Sequence, residues 1–181
     1  VFCLKKDRFQ DVVWIGTDGQ GVYLYSNPLY SIKSMVLSNY TEKIERPVRA
    51  IYLDDERTFW VGTKGNGILK IYDYEFDKNI SDCRAEVLTT SNSALSSNAV
   101  YCFAKSHRNL LWIGDEEGLT YYSYREKRIK SIPIRIGNED FKYIHDIYET
   151  ADSELWLGRG GLGGRNTGQS GDCGCATLHH Q

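Results

Sequence analysis

The tetrapeptide WIGT at residues 14–17 returns as WVGT at 60–63, WIGD at 112–115 and WLGR at 156–159. A chain that repeats in this way folds as an array of like units, each of which must stack on a neighbour to bury its apolar faces. The intervals between Trp14, Trp60, Trp112 and Trp156 are 46, 52 and 44 residues, which are periods expected of β-propeller blades.

The columns around each tryptophan define the unit. Gly16, Gly62, Gly114 and Gly158 stand two residues after each Trp. A second glycine follows at 21, 67 and 118, and the runs after it, GVYLY, GILKIY and GLTYYSY, have the β-branched and aromatic content of strands. Upstream, Val48 and Ile51, Val100 and Phe103, and Ile144 and Ile147 mark a first strand, with Val1 and Leu4 in those places in the first copy. DGQG at 18–21 and KGNG at 64–67 supply residues that tolerate positive φ in hairpin loops.

Each unit therefore reads as four short antiparallel strands, one blade. The expected fold is all-β, with about three and a half blades of an incomplete propeller over residues 1–163, divided near 1–42, 43–94, 95–138 and 139–163. The four Trp and the four glycines of the Trp-x-Gly columns are expected as blade core. Burying one indole removes roughly 150–250 Å² from water, about 4–6 kcal/mol gross.

The segments VRAIYLDDERTFWVGTKGNGILKIYD at 48–73 and SALSSNAVYCFAKSHRNLLWIGDEEGLTYYSY at 93–124 resemble the two-component regulator propeller repeat. The resemblance rests on Leu95, Ser96, Asn98, Val100, Phe103, Leu111, Trp112, Ile113, Gly114, Gly118 and Leu119, and extends over roughly residues 1–163. It implies the periplasmic sensor region of a hybrid two-component histidine kinase. The resemblance further implies detection of glycan fragments to regulate glycan-utilisation genes, and the expected partners are further blades of the parent chain and a second copy of the parent. DDERTFW at 54–60 also resembles the structural hairpin motif of sialidase propellers, which carries no catalytic role.

Composition excludes several classes. Charged residues make up 25% and the net charge is −2, so no basic field attracts nucleic acid or anionic lipid. No apolar run approaches the ~20 residues of a membrane-spanning helix, and VFCLKKDRFQ lacks the character of a leader peptide. Cys3 and Cys102 fall in first-strand positions and read as small buried hydrophobes. Residues 164–181, within RGGLGGRNTGQSGDCGCATLHHQ, read as a glycine-rich tail without a third strand and too poor in apolar surface to order itself.

Catalysis is not expected. Asp54 with Asp55, Glu116 with Glu117 and Glu139 with Asp140 sit in predicted turns, where adjacent carboxylates diverge, and His107 and His145 occupy unrelated repeat positions. Cys173, Cys175, His179 and His180 lack the spacing of a zinc site, and RGGLGG at 159–164 lacks the lysine of a phosphate loop, so neither metal nor cofactor is expected. Asn39 opens an Asn-Tyr-Thr acceptor that reads better as a turn asparagine.

What remains is recognition. If first strands line the channel, the loops leading into them share a face with the loops between second and third strands. That face would gather Arg46, Arg49, Lys64, Asn66, Asn98, Tyr101, Asp115, Glu116, Tyr143, His145 and Arg159 as ligand-binding candidates. Polar groups among tyrosines suit an oligosaccharide, whose hydroxyls need hydrogen bonds and whose apolar faces stack on rings. The alternative is a propeller scaffold for protein partners without a small ligand.

Overall fold

A computed structural model of the chain describes residues 1–27, 30–35, 45–74 and 83–160, together with the backbone of 175–179. It is built from β-strands in successive meanders. The first sheet orders β1 (Cys3–Lys6), β2 (Val12–Gly16), β3 (Val22–Ser26) and β4 (Ser31–Ser34); the second orders β5 (Val48–Leu53), β6 (Phe59–Thr63), β7 (Ile68–Ile71) and β8 (Ala85–Leu88). The third holds β9 (Val100–Lys105), β10 (Leu110–Asp115), β11 (Leu119–Ser123) and β12 (Arg128–Ile132). A short ribbon of β13 (Arg135–Ile136) and β14 (Glu139–Asp140) precedes a sheet of β15 (Ile144–Glu149), β16 (Glu154–Arg159) and β17 (Cys175–His179). These are propeller blades, as the repeat predicts.

The chain divides into two compact units, Val1–Ser93 with Ser97–Val100, and Ala94–Ser96 with Tyr101–Gln181. In the first unit, β2 and β3 bury alternate residues, the pattern of strands with one face on a core. That core joins Trp14, Phe59, Val61, Leu69, Ile71 and Tyr74. Phe59 and Tyr74 of the second blade cover the Trp14 indole, with ring centroids 4.3 and 4.9 Å away. The core of the second unit joins Trp112, Leu119, Phe141, Ile144, Leu155 and Leu157.

The Trp-x-Gly glycines allow one sheet to approach the next. A Cβ on Gly114 would lie 2.6 Å from the Ile144 carbonyl oxygen and 2.5 Å from the Cys102 sulfur; on Gly16 it would meet Cys3 Sγ at 2.5 Å and Val48 Cγ1 at 2.8 Å. The two thiols share one structural role. Cys3 Sγ donates to the Val48 carbonyl at 3.8 Å, and Cys102 Sγ to the Ile144 carbonyl at 3.7 Å. Burial pushes both thiols up, that of Cys102 to about 12.

Three expectations change. Trp14, Trp60 and Trp112 are at most 2% exposed, but Trp156 is 46% exposed and is not core. Its cross-strand partner Tyr148 is 66% exposed, because no sheet follows the fourth among the described residues to cover that face. Leu4, in the column of the buried Ile51 and Ile147, is likewise exposed. The tail, read as lacking a strand, supplies β17: its backbone pairs in register with β16, Gly158 opposite Cys175 and Glu154 opposite His179. CATLH is a strand-compatible pentapeptide whose signal is masked by glycines before it. Residues 161–174, 180 and 181, with Asn39, Tyr40 and residues 75–82, lie outside the described residues.

Candidate functional site

Within each unit the lead-in segments and the second-to-third-strand hairpins lie at the same end of the sheets, joined through backbone. Val48 N donates to the Thr17 carbonyl and Lys64 N to the Pro47 carbonyl, both at 2.9 Å; Gly65 N and Gly67 N donate to the Asn98 carbonyl at 2.8 and 2.9 Å. In the second unit Tyr143 N donates to the Glu116 carbonyl at 3.0 Å, and Gly160 N to the Tyr143 carbonyl at 3.1 Å. These bonds hold Tyr143 at φ 60°, a left-handed conformation unusual for a bulky aromatic residue.

The first strands add one column to this rim. Register places Cys3 opposite Gly16, Ala50 opposite Gly62 and Asp146 opposite Gly158, so the residues just before them, Phe2, Arg49 and His145, are equivalent, and Tyr101, which precedes Cys102, stands in the same place in the third sheet. Arg49 and His145 occupy register shifts, Val48 to Ala50 and Ile144 to Asp146, where a bulge re-aims the side chain. The column stacks in pairs. The Arg49 guanidinium lies 3.8 Å from the Phe2 ring centroid, and the His145 and Tyr101 rings stack with centroids 4.2 Å apart at 29°. Each pair presents a flat π-surface from adjacent first strands.

Five of the ligand candidates fall in the first unit. Arg46 is exposed and lies beside Gly65; Lys64 is exposed; Asn98 Oδ1 accepts from Thr90 N at 2.9 Å. Arg49 Nε and Asn66 Oδ1 are buried and have no partner among the described residues. The second unit brings Tyr101, Glu116, Tyr143, His145 and Arg159 to its own rim, where the Arg159 guanidinium stands 5.7 Å from the Phe141 ring centroid.

Asp115 is a correction. It was expected to face a ligand, but it is fully buried and closes its own hairpin. Its Oδ1 accepts from Glu117 N at 2.9 Å and Gly118 N at 3.0 Å, and its Oδ2 from Thr120 Oγ1 at 2.9 Å and Ser96 Oγ at 2.6 Å. Burial raises its carboxyl above the ordinary 3.8, against the pull of those four donors. The same position in earlier copies holds Thr17 and Thr63, whose hydroxyls bond the carbonyls of Gly21 and Gly67. The residue missed by sequence reasoning is Phe2, which the placement of Val1 in the Val48 column would have revealed.

No family model matches the chain. Over 140 residues it is 31% identical to translation initiation factor 6 of Saccharolobus solfataricus, a match covering 70% of this chain and 57% of that protein. Among solved structures it is similar to an extracellular domain assigned to a hybrid two-component system of B. thetaiotaomicron, with a TM-score of 0.66 and 21% identity over 98% of this chain and 22% of that one. The chain has the fold of that ectodomain. It also resembles PorZ, a surface component of the type-IX secretion system of Porphyromonas gingivalis, with a TM-score of 0.62 and 14% identity over 86% of this chain and 24% of that one. The chain thus spans about a fifth to a quarter of these structures and just over half of the curated relative.

Proposed function

We propose that this chain is a ligand-sensing propeller segment from the periplasmic part of a hybrid two-component sensor kinase, and that it recognises rather than transforms its ligand, an oligosaccharide. The observation that carries the reading is the stacked His145 and Tyr101 pair, presented beside Glu116, Tyr143 and Arg159 on the rim of a fold shared with a sensor ectodomain. A pyranose offers an apolar face to such rings and hydroxyls to the polar groups around them. Ligand would act by biasing the packing of the parent protein's propellers or protomers.

The partial likeness to an initiation factor favours no second reading, since the chain spans just over half of that protein and carries a net charge of −2. The test is a thermal-shift screen against glycan fragments. A binder at a hundredfold excess over its Kd adds about 2.7 kcal/mol of stability, a shift of several degrees. The expected result is a shift with one glycan class that Tyr101→Ala and His145→Ala abolish without lowering the unliganded midpoint by more than a few degrees. Silence across a broad panel supports the protein-scaffold alternative.

A further inference from the structure

Away from the rim, where β10 meets β15 at the opposite strand ends, the second unit has a partly open cavity of about 300 Å³. Leu110, Trp112, Tyr121 and Leu155 form its apolar walls, with Glu149 and Arg108 also lining it. Five residues of strand, roughly 16 Å, separate it from the rim.

The first unit shows why the space is open. There Leu53, opposite Phe59 in register, fills the corresponding place, and Phe59 and Tyr74 lie over the Trp14 indole. In the second unit Glu149 takes the place of Leu53 and Leu155 that of Phe59. A leucine and a phenylalanine have given way to a carboxylate and a leucine.

The Glu149 carboxylate spends one oxygen on the Trp112 indole, Nε1 donating to Oε2 at 2.7 Å; the other has no partner among the described residues, although Glu149 is 8% exposed. A largely buried carboxylate that lines a cavity can accept a further donor there. Arg108 is exposed and forms no ion pair among the described residues, while Lys130 is held by Glu126 at 2.7 Å. We propose that this cavity binds a hydrophobic α-amino acid, with its side chain against Trp112 and Tyr121, its ammonium on Glu149 and its carboxylate on Arg108. A simple acid would meet Glu149 unfavourably and a simple amine would leave Arg108 unused. The volume is at the small end of ligand sites, fitting one amino acid.

Calorimetry on the full chain with L-phenylalanine, 3-phenylpropionate and phenethylamine tests this. L-phenylalanine is expected to bind one site at least about tenfold more tightly than either analogue, a difference the loss of one charge-assisted bond produces. Glu149→Gln keeps an acceptor for Trp112 and should weaken L-phenylalanine and phenethylamine but not 3-phenylpropionate; Arg108→Ala should do the converse. Leu110→Trp, which fills the space, should abolish all three with an unchanged melt; if it fails to fold, the exposed Arg108→Ala carries the test. Equal affinity for the three probes, no saturation below about 10 mM, or binding that survives filling overturns the proposal. His145→Ala, at the rim, should leave L-phenylalanine binding unchanged, so the failure of this site and of the glycan reading are separable.

Discussion

The Asp54 carboxylate ties the Trp60 indole to the turn that precedes its strand: Nε1 donates to Oδ2 at 2.9 Å while Oδ1 accepts from Glu56 N at 2.9 Å and Thr58 N at 2.8 Å. Asp7 does the same for Trp14, accepting from its Nε1 at 2.9 Å and from Phe9 N and Gln10 N at 2.8 and 3.0 Å. One side chain thus closes a hairpin and satisfies the one polar atom of a fully buried ring.

Asp54→Ala leaves a buried indole N–H without an acceptor and opens the turn, so it should cost about 2–4 kcal/mol. Ser106 holds the same turn in the third sheet through a single bond, Arg108 N to Oγ at 3.1 Å. Ser106→Ala should therefore cost only about 0.5–1 kcal/mol. Urea titration of both variants checks the ranking, which fails if Ser106→Ala proves the costlier.

The Trp-x-Gly column makes a prediction of contrast. Gly114→Ala sets a methyl against the Ile144 carbonyl oxygen at 2.6 Å and should destabilise by about 2–4 kcal/mol, since backbone must move. At Gly158 the nearest atom, Asp146 Cβ, is 3.4 Å away, and Gly158→Ala should stay within about 1 kcal/mol of the parent. Comparable losses in the two denaturation curves would refute the close-approach argument.

These columns were legible in the sequence because the period is imposed by stacking, and stacking selects Trp, Gly and strand residues at fixed phase. The polar caps were less so. Asp7 and Asp54 look like solvated turn carboxylates, and only the fold reveals that both are buried against indoles. Asp115 misleads in the same way: a turn carboxylate in a variable position suggests a ligand, until Ser96, nineteen residues earlier, donates to it. Trp156 obeys the repeat but not the burial rule, since core status depends on a neighbouring sheet and not on the residue itself. Arg49, Tyr101 and His145 were found from repeat position, whereas their pairing is a matter of register between strands far apart in sequence.

The third sheet, lacking the aspartate, sends its Trp112 indole to Glu149 of the next sheet. Glu149→Leu restores the residue type of Leu53 but orphans Nε1, at a cost of about 1–3 kcal/mol. Ser106→Asp in that background supplies the acceptor geometry of Asp54 and should recover part of the loss, with a coupling of about 1–2 kcal/mol in a double-mutant cycle. Strict additivity of the two changes would show that Ser106 is not the position from which the indole is served.

Asp115 gives a pH signature whose sign follows from burial. A carboxyl whose folded-state value lies above the ordinary 3.8 binds its proton more tightly in the fold than in the unfolded chain. The stability conferred by that proton is complete below 3.8 and is lost as the pH rises through the higher folded value. Asp115→Asn removes the titration while keeping one acceptor for Glu117 N and Gly118 N. The unfolding free energy of the parent minus that of the variant should therefore fall as the pH is raised from about 3.5 to 7 at constant salt, in chemical denaturation run at each pH. A difference that stays flat or climbs would mean that the four donors, not desolvation, govern this carboxylate.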